Sequence, residues 1–186
     1  MPLLTTDRGR FFCQEAGPGP GPALFLCHGL TSNHRAWERV EGPLAGAGFH
    51  LFAFDMRGHG ASDRPGSGYA PEDHARDLEA CARALGLGRV QAVGHSTGGR
   101  NALVFAALFP ALVAGLAVVD QTLSADAESW RKYQKRYGEY PVPFADEGAL
   151  DAFLREKFPD DARRFDYYKS QFWARPDGRW DFNFSI

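Results

Sequence analysis

No histidine follows position 95 in this 186-residue chain; the six are His28, His34, His50, His59, His74 and His95. Cysteine is scarce as well. Cys13, Cys27 and Cys81 are far apart and odd in number, which argues against a disulfide framework or a zinc site. Cys27 lies in an apolar run and Cys81 in a helical one, so both read as small core residues, and a reduced, cytoplasmic protein is the simplest expectation. An excess of either charge is also missing. The 21 Lys and Arg against 23 Asp and Glu leave a net charge of −2, which gives no electrostatic ground for nucleic acid or an anionic membrane as partner. No apolar run approaches the roughly 20 residues of a membrane span. Met1–Leu4 gives way at once to Thr5-Thr6-Asp7-Arg8, so no signal peptide is expected. What is present is an ordinary globular composition, 44% hydrophobic and 24% charged, at a length that suits one good-sized core with an elaboration.

The apolar runs organise the chain. Leu3–Thr6 and Arg10–Glu15 read as two strands around a hairpin turn at Asp7-Arg8-Gly9. Gly17–Pro22 alternates glycine and proline and reads as a loop. Ala23–Cys27, His50–Phe54, Val90–Val93 and Gly115–Val119 are short strands, too apolar to alternate. Between them, Trp37–Gly48 is weakly helical and is expected to break in two at Gly42-Pro43. Pro71 opens a helix with Ala75, Leu78, Ala82 and Leu85 on one face and Gly86 as its stop, and Arg100–Phe109 forms another ahead of Pro110. The order predicts an α/β fold: a mostly parallel, twisted sheet with helices on both faces. After Asp120 the pattern changes. Trp130, Tyr133 and Tyr137, then Leu150, Phe153, Leu154 and Phe158, then Phe165, Tyr168 and Phe172 fall at helical spacing, and a strand is expected only at Arg179–Phe184. Residues 1–120 therefore read as the sheet domain and 121–186 as a helical segment.

The stretch Gly94-His95-Ser96-Thr97-Gly98 sits between a strand and a helix. Two glycines there allow a turn sharp enough to present one exposed serine, a nucleophile elbow with Ser96 as the candidate nucleophile. Attack on an acyl carbonyl develops an oxyanion, which needs donors already aimed at it. The Thr97 N–H is one candidate. The Leu30 N–H, in the loop after the strand ending at His28-Gly29, is the second, with Gly29 allowing the backbone to approach and His28 fixing the loop by hydrogen bonds. His95 adjoins Ser96, but neighbours on a sharp turn point apart, so it is not expected to take the serine proton.

Phe25-Leu26-Cys27-His28-Gly29, Phe54-Asp55-Met56-Arg57-Gly58-His59-Gly60-Ala61-Ser62-Asp63 and Gly94-His95-Ser96-Thr97-Gly98-Gly99 together resemble the three signature blocks of the α/β-hydrolase superfamily. The likeness is to its branch of serine esterases, enol-lactonases, C–C hydrolases and proline iminopeptidases. Serine at the elbow sets the chain apart from the epoxide hydrolases and haloalkane dehalogenases, which carry aspartate there. The resemblance implies a serine hydrolase of esters, thioesters, lactones or related carbonyls, with a small acyl molecule as substrate and no metal or organic cofactor. It also implies that 121–186 is a cap, whose aromatics either line an acyl pocket or pack the cap, and that the loop of Asp55, Arg57 and His59 is mainly structural.

In one respect the chain departs from the pattern. Family members carry the acid and the histidine on strands after the cap, whereas here no histidine lies beyond the elbow. Asp120 stands where some members supply the acid; alternatively it caps the next turn. The expectation is therefore an incomplete core with a weakened site, and two alternatives stay open: a non-catalytic binding or interaction module, or a fragment of a longer hydrolase. On the same reading the strand at Gly115–Val119 has an open edge, which predicts a homodimer, or aggregation, through residues 115–119, or pairing with Arg179–Phe184.

Overall fold

The computed structural model describes residues 3–17, 19–121 and 127–183; within 127–138 the side chains of Ala127, Ser129, Trp130, Tyr133 and Arg136 lie outside that description, as do Phe184, Ser185 and Ile186. Two compact units divide the chain, Met1–Gln121 and Thr122–Asn183.

In the first unit β1 (Leu4–Thr6) and β2 (Gly9–Phe11) form a small antiparallel pair. The expected second strand is two strands: after Phe12 the chain leaves the pair, and β3 (Cys13–Ala16) joins the main sheet. Next come β4 (Ala23–Cys27), a short 3₁₀ turn at His34–Trp37, α1 (Glu38–Gly46), β5 (His50–Phe54), α2 (Pro71–Ala84), β6 (Val90–His95), α3 (Thr97–Leu108) and β7 (Val113–Val119). The main sheet runs β3-β5-β4-β6-β7, with β3 antiparallel to β5 and the other neighbours parallel. The mostly parallel sheet expected from the sequence is the sheet observed.

All five residues of β4 are buried, which an alternating strand cannot achieve with one face in water. Phe25 and Cys27 point into a core shared with Phe52, Phe54, Leu78, Cys81, Ala102 and Phe105. Leu24 and Leu26 point the other way, with Leu51, Ala53 and Trp37, against Leu44 and Ala45 of α1. Helices α2 and α3 thus cover one face and α1 the other. The Phe25 ring meets Phe54 edge-on at 4.8 Å, an arrangement that ring quadrupoles favour. Burial pushes the Cys27 thiol up to about 12, so it packs as an apolar side chain.

The predicted break in the first helix does not occur: α1 continues through Pro43. Pro43 removes one helical N–H, and the carbonyl it would have served lies on a helix with no buried residue, where water can satisfy it. β7 ends the sheet beyond β6, with Leu116, Val118 and Val119 exposed.

The second unit holds α4 (Ala127–Gly138), α5 (Glu147–Lys157), α6 (Ala162–Lys169) and an antiparallel pair, β8 (Phe172–Ala174) and β9 (Trp180–Phe182). Phe172, expected to extend a helix, instead opens a strand after α6 stops at Lys169. β9 pairs antiparallel with β8, Phe172 opposite Phe182 and Ala174 opposite Trp180. Tyr140, Phe144, Phe153, Phe172 and Phe182 pack ring on ring within the unit. Among the described residues no helix is long and apolar enough to cross a membrane.

A buried ion pair ties α2 to the loop after β5. The Arg57 guanidinium grips both oxygens of Asp77, which also accepts from Arg8 Nε at 2.7 Å. Asp77 is 2% exposed and Arg57 6%. Asp77→Ala leaves the Arg57 charge buried without its partner, and is expected to cost about 3–5 kcal/mol. Urea denaturation of the variant measures this; a loss below about 1 kcal/mol would mean the pair behaves as a surface one.

Candidate active site

The turn from β6 into α3 has the geometry that the sequence implied. Ser96 carries φ 51° and ψ −124°, outside the regions ordinary residues adopt, and Thr97 is the first residue of α3. The strain is held from both sides. The Ser96 N–H donates to the Val119 carbonyl at 2.9 Å, and the Ser96 carbonyl accepts from Gly99 N–H at 2.8 Å. A side chain at Gly98 has no room: a β-carbon there would overlap the Cys27 and His28 carbonyl oxygens and lie 2.6 Å from the Cys27 carbonyl carbon. The start of α3 therefore rests directly on the end of β4.

The loop after β4 closes on the same place. A β-carbon on Gly29 would stand 3.3 Å from both Ser96 Cβ and His95 Nδ1, so glycine there allows close approach to the elbow. His28 is 2% exposed and fixes this loop through both ring nitrogens. Its Nε2 accepts the Met56 N–H at 3.0 Å, so the ring proton sits on Nδ1, which donates to the Gly29 carbonyl at 2.7 Å. Burial, with His59 nearby, pushes His28 down to about 3, so the ring is neutral at pH 7. Ser32 N–H adds a second bond to the Gly29 carbonyl at 3.1 Å. Carbonyl and N–H point oppositely across a trans peptide, so these two donors aim the Leu30 N–H the other way. Among the described residues neither the Leu30 nor the Thr97 N–H makes a hydrogen bond within the first unit.

Asp120 follows β7 directly, at φ 48°, a conformation aspartate tolerates better than most residues. Its side chain is 91% exposed, with Oδ2 3.9 Å from Nε2 of His95. The turn that it would cap falls at 122–126, outside the described residues. Among the described residues of the first unit, neither Asp120, His95 nor any other side chain hydrogen-bonds the Ser96 hydroxyl. His34 is engaged with Asp55, Nδ1 to Oδ1 at 2.7 Å, and His50 with Glu15 at 2.6 Å. Burial alone would raise Asp55, but the His34 hydrogen bond and charge outweigh it and leave that carboxyl below its usual range. No group of three His, Cys, Asp or Glu side chains among the described residues is arranged to hold a metal ion.

Sequence reasoning brought Ser96, Thr97, Leu30, His28 and Gly29 to one place. It missed the part of His59, a loop residue 29 positions from Leu30. Its Nε2 lies in close hydrogen-bond contact with the Leu30 carbonyl, and its Nδ1 is 2.9 Å from the Arg57 carbonyl.

Residues 22–178 match the family model of the alpha/beta hydrolase fold. Among curated proteins, a 2-(acetamidomethylene)succinate hydrolase of Mesorhizobium japonicum is 34% identical over 154 residues, 83% of this chain and 55% of that protein. A bifunctional esterase/perhydrolase of Acinetobacter calcoaceticus is 32% identical over 108 residues, 58% of this chain and 39% of the relative. The chain thus spans about half, or less, of the curated relatives that it matches. Among solved structures, E-2-(acetamidomethylene)succinate hydrolase superposes with a TM-score of 0.78 at 31% identity, over 96% of this chain and 66% of that one. A marine microorganism esterase, at 22% identity and a TM-score of 0.75 over 94% of this chain and 68% of that one, shares the fold.

Proposed function

This chain belongs to the alpha/beta hydrolase fold family, and from that premise we propose that the whole protein is a serine hydrolase of an ester, thioester, lactone or related acyl carbonyl. The observation that carries the reading is the strained Ser96 (φ 51°) beside two backbone N–H groups, of Leu30 and Thr97, that bond nothing among the described residues of the first unit. Ser96 Oγ bonds to the acyl carbon as its proton passes to a base, and the carbonyl oxygen becomes an oxyanion held by the Leu30 and Thr97 N–H groups. The alcohol, thiol or amine then leaves with a proton, and water cleaves the acyl-serine to release the acid. The relative named for 2-(acetamidomethylene)succinate supports counting amide-type carbonyls within this class.

A second reading is favoured by one observation: no described side chain of the first unit bonds the Ser96 hydroxyl. On that reading the 186-residue chain binds an acyl ligand or a partner without turning it over. Labelling and turnover separate the two. A fluorophosphonate probe is expected to modify Ser96 slowly, and Ser96→Ala to abolish modification; labelling at Ser32 or Ser62 instead would remove Ser96 from the role. Activated aryl esters should turn over feebly, near the roughly 10³–10⁴-fold acceleration over water that survives loss of a triad member. Steady turnover at about 1–10³ s⁻¹ would reveal a competent base within these residues.

A further inference from the structure

His28 and His59 form a pair. Their rings meet edge to face with centroids 4.9 Å apart, and each joins the loop after β4 to the loop after β5. His28 holds the Gly29 carbonyl and takes the Met56 N–H. His59 holds the next carbonyl, Leu30, and faces the Arg57 carbonyl with its other nitrogen. The Gly29 carbonyl shares a peptide plane with the Leu30 N–H, so His28 sets that plane. The Leu30 carbonyl belongs to the following plane, so His59 sets the other side of the same Cα. The bonds from His28 and the Ser32 N–H both end on one atom of the donor's plane, the Gly29 oxygen, and leave that plane free to tilt about it; holding the Leu30 carbonyl of the next plane restricts the tilt.

We propose that His59 is a positioning residue for the oxyanion hole: by holding the Leu30 carbonyl it keeps the Leu30 N–H aimed at the reacting oxygen. The proposal rests on the serine-hydrolase reading above. His59 itself never reaches the substrate. It is 4% exposed, its ring is spanned by two backbone carbonyls, and burial depresses its proton affinity, so it acts as a neutral ring. A neutral imidazole has one N–H to give, and the closer approach, at Leu30, takes it. Its neighbours are accounted for elsewhere: Asp55 is bonded to His34 and the Ala61 N–H, and Arg64 donates to the Gly58 and Gly60 carbonyls at 2.7 and 2.8 Å.

Two substitutions of similar size separate this role from simple packing. A glutamine amide nitrogen falls near the imidazole Nε2 and an asparagine one near Nδ1. His59→Gln therefore keeps the donor to Leu30, whereas the His59→Asn amide reaches only toward the Arg57 carbonyl and leaves the Leu30 carbonyl without its donor. The full chain and both variants are reacted with a fluorophosphonate, the rate of Ser96 modification is followed by intact mass, and ¹⁵N spectra and thermal melting are recorded alongside. His59→Asn is expected to slow modification about 10- to 100-fold, the effect of misplacing a catalytic donor by an ångström or less. His59→Gln is expected to react close to the parent rate. The Thr31 amide nitrogen, in the same peptide unit as the Leu30 carbonyl, should shift in the asparagine variant and stay in place in the glutamine one. Parent-like reactivity of His59→Asn overturns the proposal, as does an equal loss in both variants. Should His59→Asn fail to fold, His59→Gln decides: a folded but tenfold slower protein refutes the role, and a parent-like one with an unmoved Thr31 signal supports it. No modification of Ser96 in the parent would instead defeat the serine reading itself and this role with it.

Discussion

Lowering the pH from 7 to 4.5 is expected to unfold the first unit, or to bring its thermal midpoint down steeply. The cause is a set of histidines buried in neutral form. Burial pushes both His28 and His74 down to about 3, and His59 is depressed as well. In the unfolded chain each takes a proton near pH 6.5. Between that value and about 3 the unfolded state binds more protons than the folded one, so stability falls as pH falls, by about 1.4 kcal/mol per pH unit for each such histidine. For His28 and His74 together, two pH units remove about 5 kcal/mol, comparable to the whole stability of a typical domain. Asp55, held below its usual range by His34, adds a loss of the same sign only at lower pH. Above pH 6.5 the histidines contribute their full stabilisation. Melting temperatures measured from pH 8 to 4.5 test this, with His74→Phe as the control. His74 Nδ1 is buried without a partner, so replacing the ring sacrifices no hydrogen bond at that atom and should lower the slope by about a third to a half. A flat profile through pH 6.5–5 would show that water reaches these rings.

The sheet and the elbow were legible in the sequence because their signals are local. Four apolar runs and a glycine-serine-glycine turn between strand and helix need nothing distant to be read. The features that escaped it depend on tertiary context. Phe12 looks like the middle of one strand, yet the chain there changes from one sheet to another. Phe172 continues the helical spacing of Phe165 and Tyr168, and Lys169-Ser170-Gln171 holds no glycine or proline to announce the helix end. Pro43 does announce an end, but at an exposed helix whose freed carbonyl can turn to water. The fit of His59 to the Leu30 carbonyl is set by two loops that only the parallel packing of β4 beside β5 brings together. Pairing of this kind leaves no trace in spacing or composition.

Gly98→Ala is the single methyl expected to do the most damage. The added carbon would overlap two backbone oxygens, those of Cys27 and His28, and backbone at the end of a central strand has nowhere to retreat. Relief requires either that α3 lift off β4 or that the elbow reopen, and both undo the strained Ser96 conformation. The expected result is a loss beyond about 4–5 kcal/mol, in the range reserved for severe overpacking and backbone strain. The comparison that isolates this cause is Gly46→Ala. Gly46 is the last residue of α1, and beyond its chain neighbours and its own helix nothing lies within 4 Å of an added β-carbon, so the same methyl should stabilise by up to about 1 kcal/mol through helix propensity. Urea titrations of the two variants against the parent give both numbers. If Gly98→Ala folds with parent stability and still presents Ser96 to a fluorophosphonate at the parent rate, then α3 does not rest on β4, and the close seating of the elbow is not what holds Ser96 in place.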